Sequence, residues 1–324
     1  MNSQAAPLQW GGLLRMWGAP MSDSSPCQID EPFSVRAVAR DEMPLFFNWA
    51  RDEGWNPGRH DGPCFHDADP EGMLVAELGG EPVASVSCVR YSDDFGFVGQ
   101  YIAKPEFRGR GFGLRLWTAG MARLAGCNVG LDGVLNQIAN YEKSGFRFSH
   151  HHIRYGGVIA GRSSPGLVRL DAVPFADVFA YDRDCFPAAR EAFLRSWIAQ
   201  PESAALAVLR DGKLAGFGVA RKAVEGFKIG PLFADDAPTA ESLLLGLAKE
   251  VGGPVVIDVP DGTFHPTAEA LVQELGLAEV FRCARMYTRG RPVHGAAVKP
   301  GFAGDRPRGE AGHKVFGITS LELG

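Results

Sequence analysis

The stretch VGQYIAKPEFRGRGFGLRLW, from Val98 to Trp117, decides the fold of this chain. Its first part predicts the end of a strand that runs from Phe95 to Ala103. A loop with three glycines follows, from Arg108 to Gly113, and a helix over 113–125 begins at once. The helix is predicted from apolar residues that recur on one face, namely Leu114, Trp117, Met121 and Leu124. The order is therefore strand, glycine-rich loop and helix.

A glycine-rich loop that leads straight into a helix is typical of an anion-binding site. Glycines permit positive φ and let a ligand approach the backbone. The unpaired N–H groups of the first helical turn point at one place, where Arg108 and Arg110 add full positive charges. The loop lacks the lysine of a Walker motif, and Leu114 stands where a dinucleotide fingerprint needs its third glycine. The loop therefore favours a phosphorylated ligand outside those two classes.

Further segments join this loop in a resemblance to a known family. The pattern [Gln/Arg]-x-x-Gly-x-[Gly/Ala] starts at Arg108, and of three matches in the chain this one alone lies between a predicted strand and a predicted helix. The segment Asn140–Phe146 resembles the YEKxGF segment of the GNAT acyl-CoA N-acyltransferases, and Ile102–Phe107 resembles the usual end of their central strand. The resemblance covers roughly residues 33–157. The step Leu131–Val134, with a second domain behind it, is similar to the tandem YitH-like branch.

This resemblance implies transfer of an acyl group, usually acetyl, from coenzyme A to a primary amine. Acetyl-CoA is then a co-substrate, and its pantetheine arm slots between two splayed parallel strands. Backbone groups near Ile102 and Ala103 would pair with the pantetheine amides. The pyrophosphate would be held by the loop residues Arg108, Gly109, Arg110, Gly111, Phe112, Gly113 and Leu114.

The resemblance also implies two proton transfers. A base takes a proton from the ammonium, because only the neutral amine is nucleophilic, and an acid protonates the leaving thiolate. Tyr141 matches the family position of the acid, with packing on the core as the alternative. The central strand offers Gln100 and Tyr101 but no carboxylate. Asp132, at a strand end facing the predicted cleft, is the candidate base or amine-orienting group, and capping of the next turn is its alternative.

Histidines and cysteines do not predict a metal site. In a strand, His150 and His152 share a face while His151 points away, so only two ligands converge. The six cysteines contain no CxxC pair and are interpreted as buried thiols of a reducing cytoplasm. Three further histidines are predicted in loops that border an acceptor pocket: His60, His66 and His265.

The element order repeats along the chain and predicts two tandem domains. We expect an α/β fold in which each GNAT-like domain is a twisted mixed sheet flanked by helices. The predicted divisions are a disordered extension at 1–30, a coenzyme-binding domain at 31–160, a linker at 161–166, and a second domain at 167–324 with a Gly/Pro-rich excursion at 291–312.

The second domain is predicted to have lost its coenzyme loop. The equivalent position is Phe233–Pro238, where two aspartates would repel a pyrophosphate and Pro238 lacks an N–H. We therefore expect a degenerate domain that shapes the acceptor pocket. Residues 315–323 are predicted to return as a last strand.

Composition narrows the function classes. The chain has 324 residues, 45% apolar and 22% charged, which is typical of a globular protein. A net charge of −5 disfavours nucleic acid as a partner, and no apolar run reaches the roughly 20 residues of a membrane span. We expect a cytoplasmic monomer or homodimer.

The resulting hypothesis is N-acetylation of a small-molecule amine, by direct attack on acetyl-CoA in a ternary complex. Three alternatives stay open at this point. One is transfer of a longer acyl chain to amino acids, another is a non-catalytic acyl-CoA sensor, and the third is acetylation of a protein amine.

Overall fold

Thirteen strands of the computed structural model form one continuous mixed sheet. The structure describes residues 32–292 and 312–324. The predicted extension at 1–30, which includes Cys27, lies outside the described residues. So do residues 293–311 of the predicted excursion at 291–312. The predicted α/β class, a mixed sheet flanked by helices in two similar halves, is confirmed.

The first half of the chain carries six strands and four helices. The strands are β1 (Phe33–Ala37), β2 (Met73–Leu78), β3 (Glu81–Arg90), β4 (Phe95–Ala103), β5 (Asn128–Val134) and β6 (Arg147–Gly157). The helices are α1 (Pro44–Asp52), α2 (Asp61–Ala68), α3 (Phe112–Arg123) and α4 (Ile138–Lys143). The strand–loop–helix order of the glycine-rich segment is β4, loop and α3, as predicted.

The second half repeats this order and adds a short final strand. Its strands are β7 (Leu167–Arg169), β8 (Ser203–Arg210), β9 (Lys213–Lys222), β10 (Phe227–Ala234), β11 (Val255–Pro260), β12 (Ala278–Tyr287) and β13 (Val315–Gly317). Its helices are α5 (Phe175–Cys185), α6 (Glu191–Ile198), α7 (Ala237–Val251) and α8 (Pro266–Glu274). The predicted last strand is real but ends at Gly317.

The two halves exchange strands at the centre of the sheet. Along the sheet the order is β1-β2-β3-β4-β5-β12-β6-β11-β10-β9-β8-β7. Strand β12 of the second half lies between β5 and β6, and β6 of the first half lies between β12 and β11. The predicted domain boundaries stay a prediction, because each half contributes a central strand to the other.

The parallel strands β4 and β5 separate soon after they begin to pair. They pair only at Phe95–Val98 with Asn128–Leu131. The pairing of β3 with β4 shifts register between Ser85 and Ser87, and Gln100 opposite this shift has a φ of +43°. Such an irregularity bends a strand away from its neighbour. A wedge therefore opens between the carboxyl ends of β4 and β5, beside the glycine-rich loop.

The equivalent wedge of the second half is filled by the chain itself. Strands β10 and β11 pair only from Phe227 to Ile229. Beyond that point β13 pairs antiparallel with β10, and the Ile318 N–H donates to the Asp258 carbonyl of β11 over 3.0 Å. The C-terminal segment thus lies where the first half has its open wedge.

A buried ion pair joins the two halves behind the sheet. Arg221 Nε on β9 lies 2.9 Å from Asp61 Oδ1 at the start of α2, and the two side chains are 2% and 3% exposed. The Arg221 guanidinium also stacks over Trp197 at 4.3 Å. Breaking a buried pair is costly because one charge stays behind without a partner.

We predict that Arg221→Leu lowers the free energy of unfolding by about 3–5 kcal/mol, since Asp61 would be buried without a cation. Urea denaturation measures this change. The matched control is Arg169→Leu, which breaks the pair between Arg169 and Asp171, two side chains that are 76% and 67% exposed. The control should leave the unfolding midpoint unchanged, and equal losses in both variants would contradict the prediction.

Candidate active site

A cavity of about 720 Å³, counted with its open mouth, occupies the wedge between β4 and β5. Its first-half walls come from β4, β5, α3 and α4, together with Trp55 and with Arg154 of β6. The second half and its C-terminal segment supply Phe281, Leu321 and Glu322. The sheet exchange therefore builds a single cavity from both halves.

The glycine-rich loop has the backbone conformation that its glycines permit. Gly109 and Gly111 have φ values of +74° and +83°, and Gly111 is the N-cap of α3. A Cβ atom built at either glycine meets nothing within 4 Å, so the space above the loop is open. The N–H groups of the first turn of α3, from Phe112 to Leu114, have no helical acceptors. Loop and helix together can hold an anion.

The two arginines of the loop have different surroundings. Arg108 Nε donates to the Ala103 carbonyl over 2.8 Å, and the guanidinium pairs with Glu53. Arg108 therefore ties the loop to the end of β4 and uses one of the carbonyls predicted for pantetheine. Arg110 is exposed, and its guanidinium lies over the Phe112 ring at 5.0 Å. Arg110 is the better placed of the two to meet a ligand in solvent.

Tyr101 connects the loop to the cavity. Its ring lines the cavity, and a Cβ atom at Gly113 would lie 2.4 Å from its hydroxyl oxygen. Burial raises the pKa of Tyr101 to about 12. The cavity and the start of α3 are thus separated by a single aromatic side chain.

Tyr141, the predicted acid, lines the same cavity from α4 and is 7% exposed. Gly133 makes room for it, because a Cβ atom there would lie 2.3 Å from the ring. Burial raises the pKa of the Tyr141 phenol well above its ordinary value. The phenol therefore stays protonated at neutral pH, and its role stays a prediction.

Asp132, the predicted base, lines the cavity but is engaged by its neighbours. Arg285, directly opposite on β12, donates Nε to Oδ1 over 2.9 Å and Nη2 to Oδ2 over 2.5 Å. His152 Nδ1 lies 2.8 Å from Oδ1. Burial favours the neutral acid, but Arg285 and His152 outweigh it and hold the pKa of Asp132 well below its usual range. This geometry favours the amine-orienting or positioning alternative over the base.

The neighbouring histidines form a buried pair. His150 Nε2 lies 3.1 Å from His152 Nε2, and the His150 ring stacks on Phe264 with centroids 3.9 Å apart. Burial lowers the pKa of both histidines below the ordinary value. Within the described residues, no group of three or more His, Cys, Asp or Glu side chains is placed to hold a metal ion.

The described cysteines do not line this cavity, and neither do His60, His66 and His265. The loop prediction is wrong for His66, which lies inside α2, while His265 accepts a hydrogen bond from the Ala268 N–H as N-cap of α8. The described cysteines are buried free thiols: Cys64, Cys88, Cys127, Cys185 and Cys283. No helix among the described residues is long and apolar enough to cross a membrane.

Sequence reasoning missed Glu322, which enters the cavity from the C-terminal segment. Its backbone packs on Gly99 of β4 so closely that a Cβ atom at Gly99 would lie 2.2 Å from the Glu322 carbonyl oxygen. The Tyr91 hydroxyl holds the next residue by donating to the Leu323 carbonyl over 3.0 Å. Nothing local in the sequence predicts this contact, because the two segments are far apart in the chain.

The Glu322 carboxylate is only partly engaged. Oε1 lies 3.7 Å from Lys228 Nζ, and Oε2 is buried without a hydrogen-bond partner among the described residues. Burial favours the neutral acid, but Lys228 and nearby arginines outweigh it and lower the pKa of Glu322. Glu322 thus lines the cavity and carries an ionised carboxylate, one oxygen of which, Oε2, is buried and accepts no hydrogen bond from the described residues.

The coenzyme-loop position of the second half has a different arrangement. Asp236 is the N-cap of α7, and its carboxylate accepts a hydrogen bond from the Thr239 N–H over 2.9 Å. Tyr181 donates to Asp235 over 2.8 Å. The helix N-terminus here is capped by the chain's own carboxylate.

Comparisons with known proteins find one family in both halves. A model described as "Acetyltransferase (GNAT) family" matches residues 35–146, and one described as "Acetyltransferase (GNAT) domain" matches residues 178–298. Holothin acyltransferase of Pseudoalteromonas sp. (strain SANK 73390) is 29% identical over 302 residues, which are 92% of this chain and 96% of that protein. "Uncharacterized N-acetyltransferase YitH" of Bacillus subtilis (strain 168) is 26% identical, over 50% of this chain and 60% of its own length.

Solved structures share the fold over most of the chain. A putative acetyltransferase from Pyrococcus horikoshii superposes with a TM-score of 0.73 at 20% identity, over 94% of this chain and 99% of its own. A tandem GNAT protein from the clavulanic acid biosynthesis pathway has a TM-score of 0.55 at 15% identity, over 79% of this chain and 98% of its own. At these identities the likeness concerns the fold alone.

We predict that Gly99→Ala displaces the C-terminal segment, because the new methyl group would collide with the Glu322 backbone. Overpacking of this kind lowers the free energy of unfolding by about 1–3 kcal/mol. Hydrogen exchange should speed up at the Leu323 and Gly324 amides, which now bond to Ser320. The matched control is Gly156→Ala, where a Cβ atom meets only valine methyl groups within 3.1 Å. Unchanged exchange in Gly99→Ala would contradict the prediction.

We also predict a loss of stability on mild acidification. The unfolded chain protonates His150 and His152 near pH 6.5, whereas the folded state keeps them neutral, so the unfolded state binds more protons. The free energy of unfolding should therefore fall as the pH drops from 7.5 to 5.5, by at most roughly 1 kcal/mol per pH unit for each histidine. Urea denaturation of His150→Phe should give a shallower slope, and an identical slope would exclude His150 as a cause.

Proposed function

Since the chain belongs to the GNAT family of acetyltransferases, we propose that it transfers an acetyl group from acetyl-CoA to the primary amine of a small molecule. The observation that carries the proposal is the open wedge between β4 and β5, which lies beside the glycine-rich loop and is partly lined by the second half. The reaction is direct attack of the amine on the thioester in a ternary complex.

Coenzyme binding is supported by groups that lack partners within the sheet. Beyond Val98 and Leu131 the facing edges of β4 and β5 are unpaired with each other, and backbone donors and acceptors require partners. The pantetheine amides would supply them near Ile102, while the Ala103 carbonyl already accepts a hydrogen bond from Arg108. The pyrophosphate would lie on the first turn of α3, beside the exposed Arg110.

A small acceptor is supported by the shape of the cavity. The cavity is lined on several sides, by β4, β5, α3, α4 and the C-terminal segment, which suits a compact acceptor. Trp55 and Phe281 contribute aromatic walls, and Leu321 of the C-terminal segment narrows it. A relative named holothin acyltransferase aligns over 92% of the chain. On that basis we propose that the acceptor of this protein is similar to holothin.

Different residues of the cavity are assigned different roles in the reaction. The C–N bond forms as the C–S bond breaks, and the Tyr141 phenol gives its proton to the departing sulfur. Asp132 is assigned a positioning role, because Arg285 and His152 occupy both of its oxygens. It holds β5 and β12 together along one wall.

We predict that acetyl-CoA raises the melting temperature of the native protein and not that of Gly111→Glu. A ligand at 100 times its Kd stabilises the folded state by about 2.7 kcal/mol. Glutamate at Gly111 would put a negative charge on the anion site. The matched control is Gly126→Glu, since Gly126 also has positive φ and open space but follows the other end of α3. Its response to acetyl-CoA should equal that of the native protein.

Turnover is then measured by thiol release with a panel of small amines and an acyl-CoA length series. The proposal expects thiol release that needs an amine and is fastest with acetyl-CoA. A native protein with no thermal shift would overturn the transferase proposal. A shift without turnover on any amine would favour an acyl-CoA sensor.

A further inference from the structure

We propose that the side chain of Glu322 accepts the proton of the attacking amine, so that the C-terminal segment supplies the base that β4 lacks. The inference rests on the proposed function and adds a residue to it. Its starting observation is a carboxylate buried in the wall of the cavity, with Oε2 lacking a hydrogen-bond partner among the described residues.

Glu322 lies beside the bend of β4 that opens the wedge. Its backbone touches Gly99, and the next residue of β4 is Gln100, the left-handed residue at which the strand bends away. The thioester of a coenzyme in the wedge would pass this bend. The same cavity exposes Tyr141, so a proton acceptor and a proton donor share one space.

Its ion pairing leaves the Glu322 carboxylate able to accept a proton, whereas the Asp132 carboxylate is occupied by Arg285 and His152. Of the cations near Glu322, Arg154 donates Nε and Nη2 to Asp258 over 2.8 Å, and Arg221 is paired with Asp61. Lys228 remains, and at 3.7 Å from Oε1 it balances the charge without a hydrogen bond. The carboxylate is therefore ionised and can accept a proton.

The proton balance closes with the groups present. The substrate ammonium gives one proton to Glu322, which passes it to solvent, and the neutral amine attacks the thioester carbon. The C–N bond forms, the C–S bond breaks, and the sulfur leaves with the Tyr141 proton. The second nitrogen proton then restores the phenol. The net products are the amide, free coenzyme A and one proton.

The second half gains a function from this assignment, because it holds the segment that carries Glu322. Strand β13 is paired with β10. Further along, the Thr319 hydroxyl accepts a hydrogen bond from Arg190 over 2.9 Å, and Leu323 is held by Tyr91. The filled wedge of the second half thus anchors the base of the first.

The test is Glu322→Gln, with Glu322→Asp as the conservative variant and Asp93→Asn as the matched control. Asp93 precedes β4 and its side chain is fully exposed. With an alkylamine at pH 7, Glu322→Gln should lower kcat by about 100- to 1,000-fold, while its thermal shift with acetyl-CoA stays native. The defect should shrink as the pH rises above the pKa of the amine, and with an arylamine that is neutral at pH 7. Asp93→Asn should behave as the native protein.

Three outcomes separate the hypotheses. A kcat within a few-fold of native in Glu322→Gln overturns the assignment, and so does a loss that is equal for both amines at every pH, since that is a structural effect. If Glu322→Gln does not fold, Glu322→Asp keeps the charge beside Lys228 and gives the same comparison of amines. Failure of the proposed function is distinct, because the native protein would then release no thiol.

Discussion

The structure depends on one constraint, which is that backbone donors and acceptors inside a sheet need partners. Two pairs of parallel strands separate after a few residues, and each separation exposes facing edges. In the second half the edge of β10 is satisfied by β13. In the first half the equivalent edge faces a cavity. The same fold irregularity therefore produces a filled wedge that anchors the chain and an open wedge suited to a ligand with amide groups.

Several buried carboxylates of this molecule share one kind of partner. Four buried carboxylates of the described residues are each matched by a guanidinium, in the pairs Asp61–Arg221, Asp132–Arg285, Asp182–Arg190 and Asp258–Arg154. In three of these pairs the guanidinium donates to both carboxylate oxygens, which makes the carboxylate poorly suited to exchange protons. Glu322 has no guanidinium partner and faces the Lys228 ammonium at 3.7 Å. That difference sets it apart from the four pairs.

Strand exchange explains why the cavity needs the whole chain. Arg285 reaches Asp132 only because β12 lies beside β5, and His152 reaches it only because β6 lies beside β12. The carboxylate that looked like a base in the sequence is thereby engaged by two partners. The two halves are similar in element order, yet neither builds this wall of the cavity alone.

The sequence by itself determined the strand, the glycine-rich loop and the helix, since glycine conformation and helix periodicity are local properties of neighbouring residues. It also predicted Tyr141 as the acid; the structure places this residue at the cavity, and its role stays a prediction. Only the tertiary structure decided that Asp132 is engaged and that Glu322 enters the cavity. Both depend on hydrogen bonds and contacts between backbone segments that are far apart in the chain. Because the backbone of any residue can make such contacts, they leave no pattern in the sequence. The contact of Glu322 with Gly99 exists because the sheet brings the C-terminal segment across its centre.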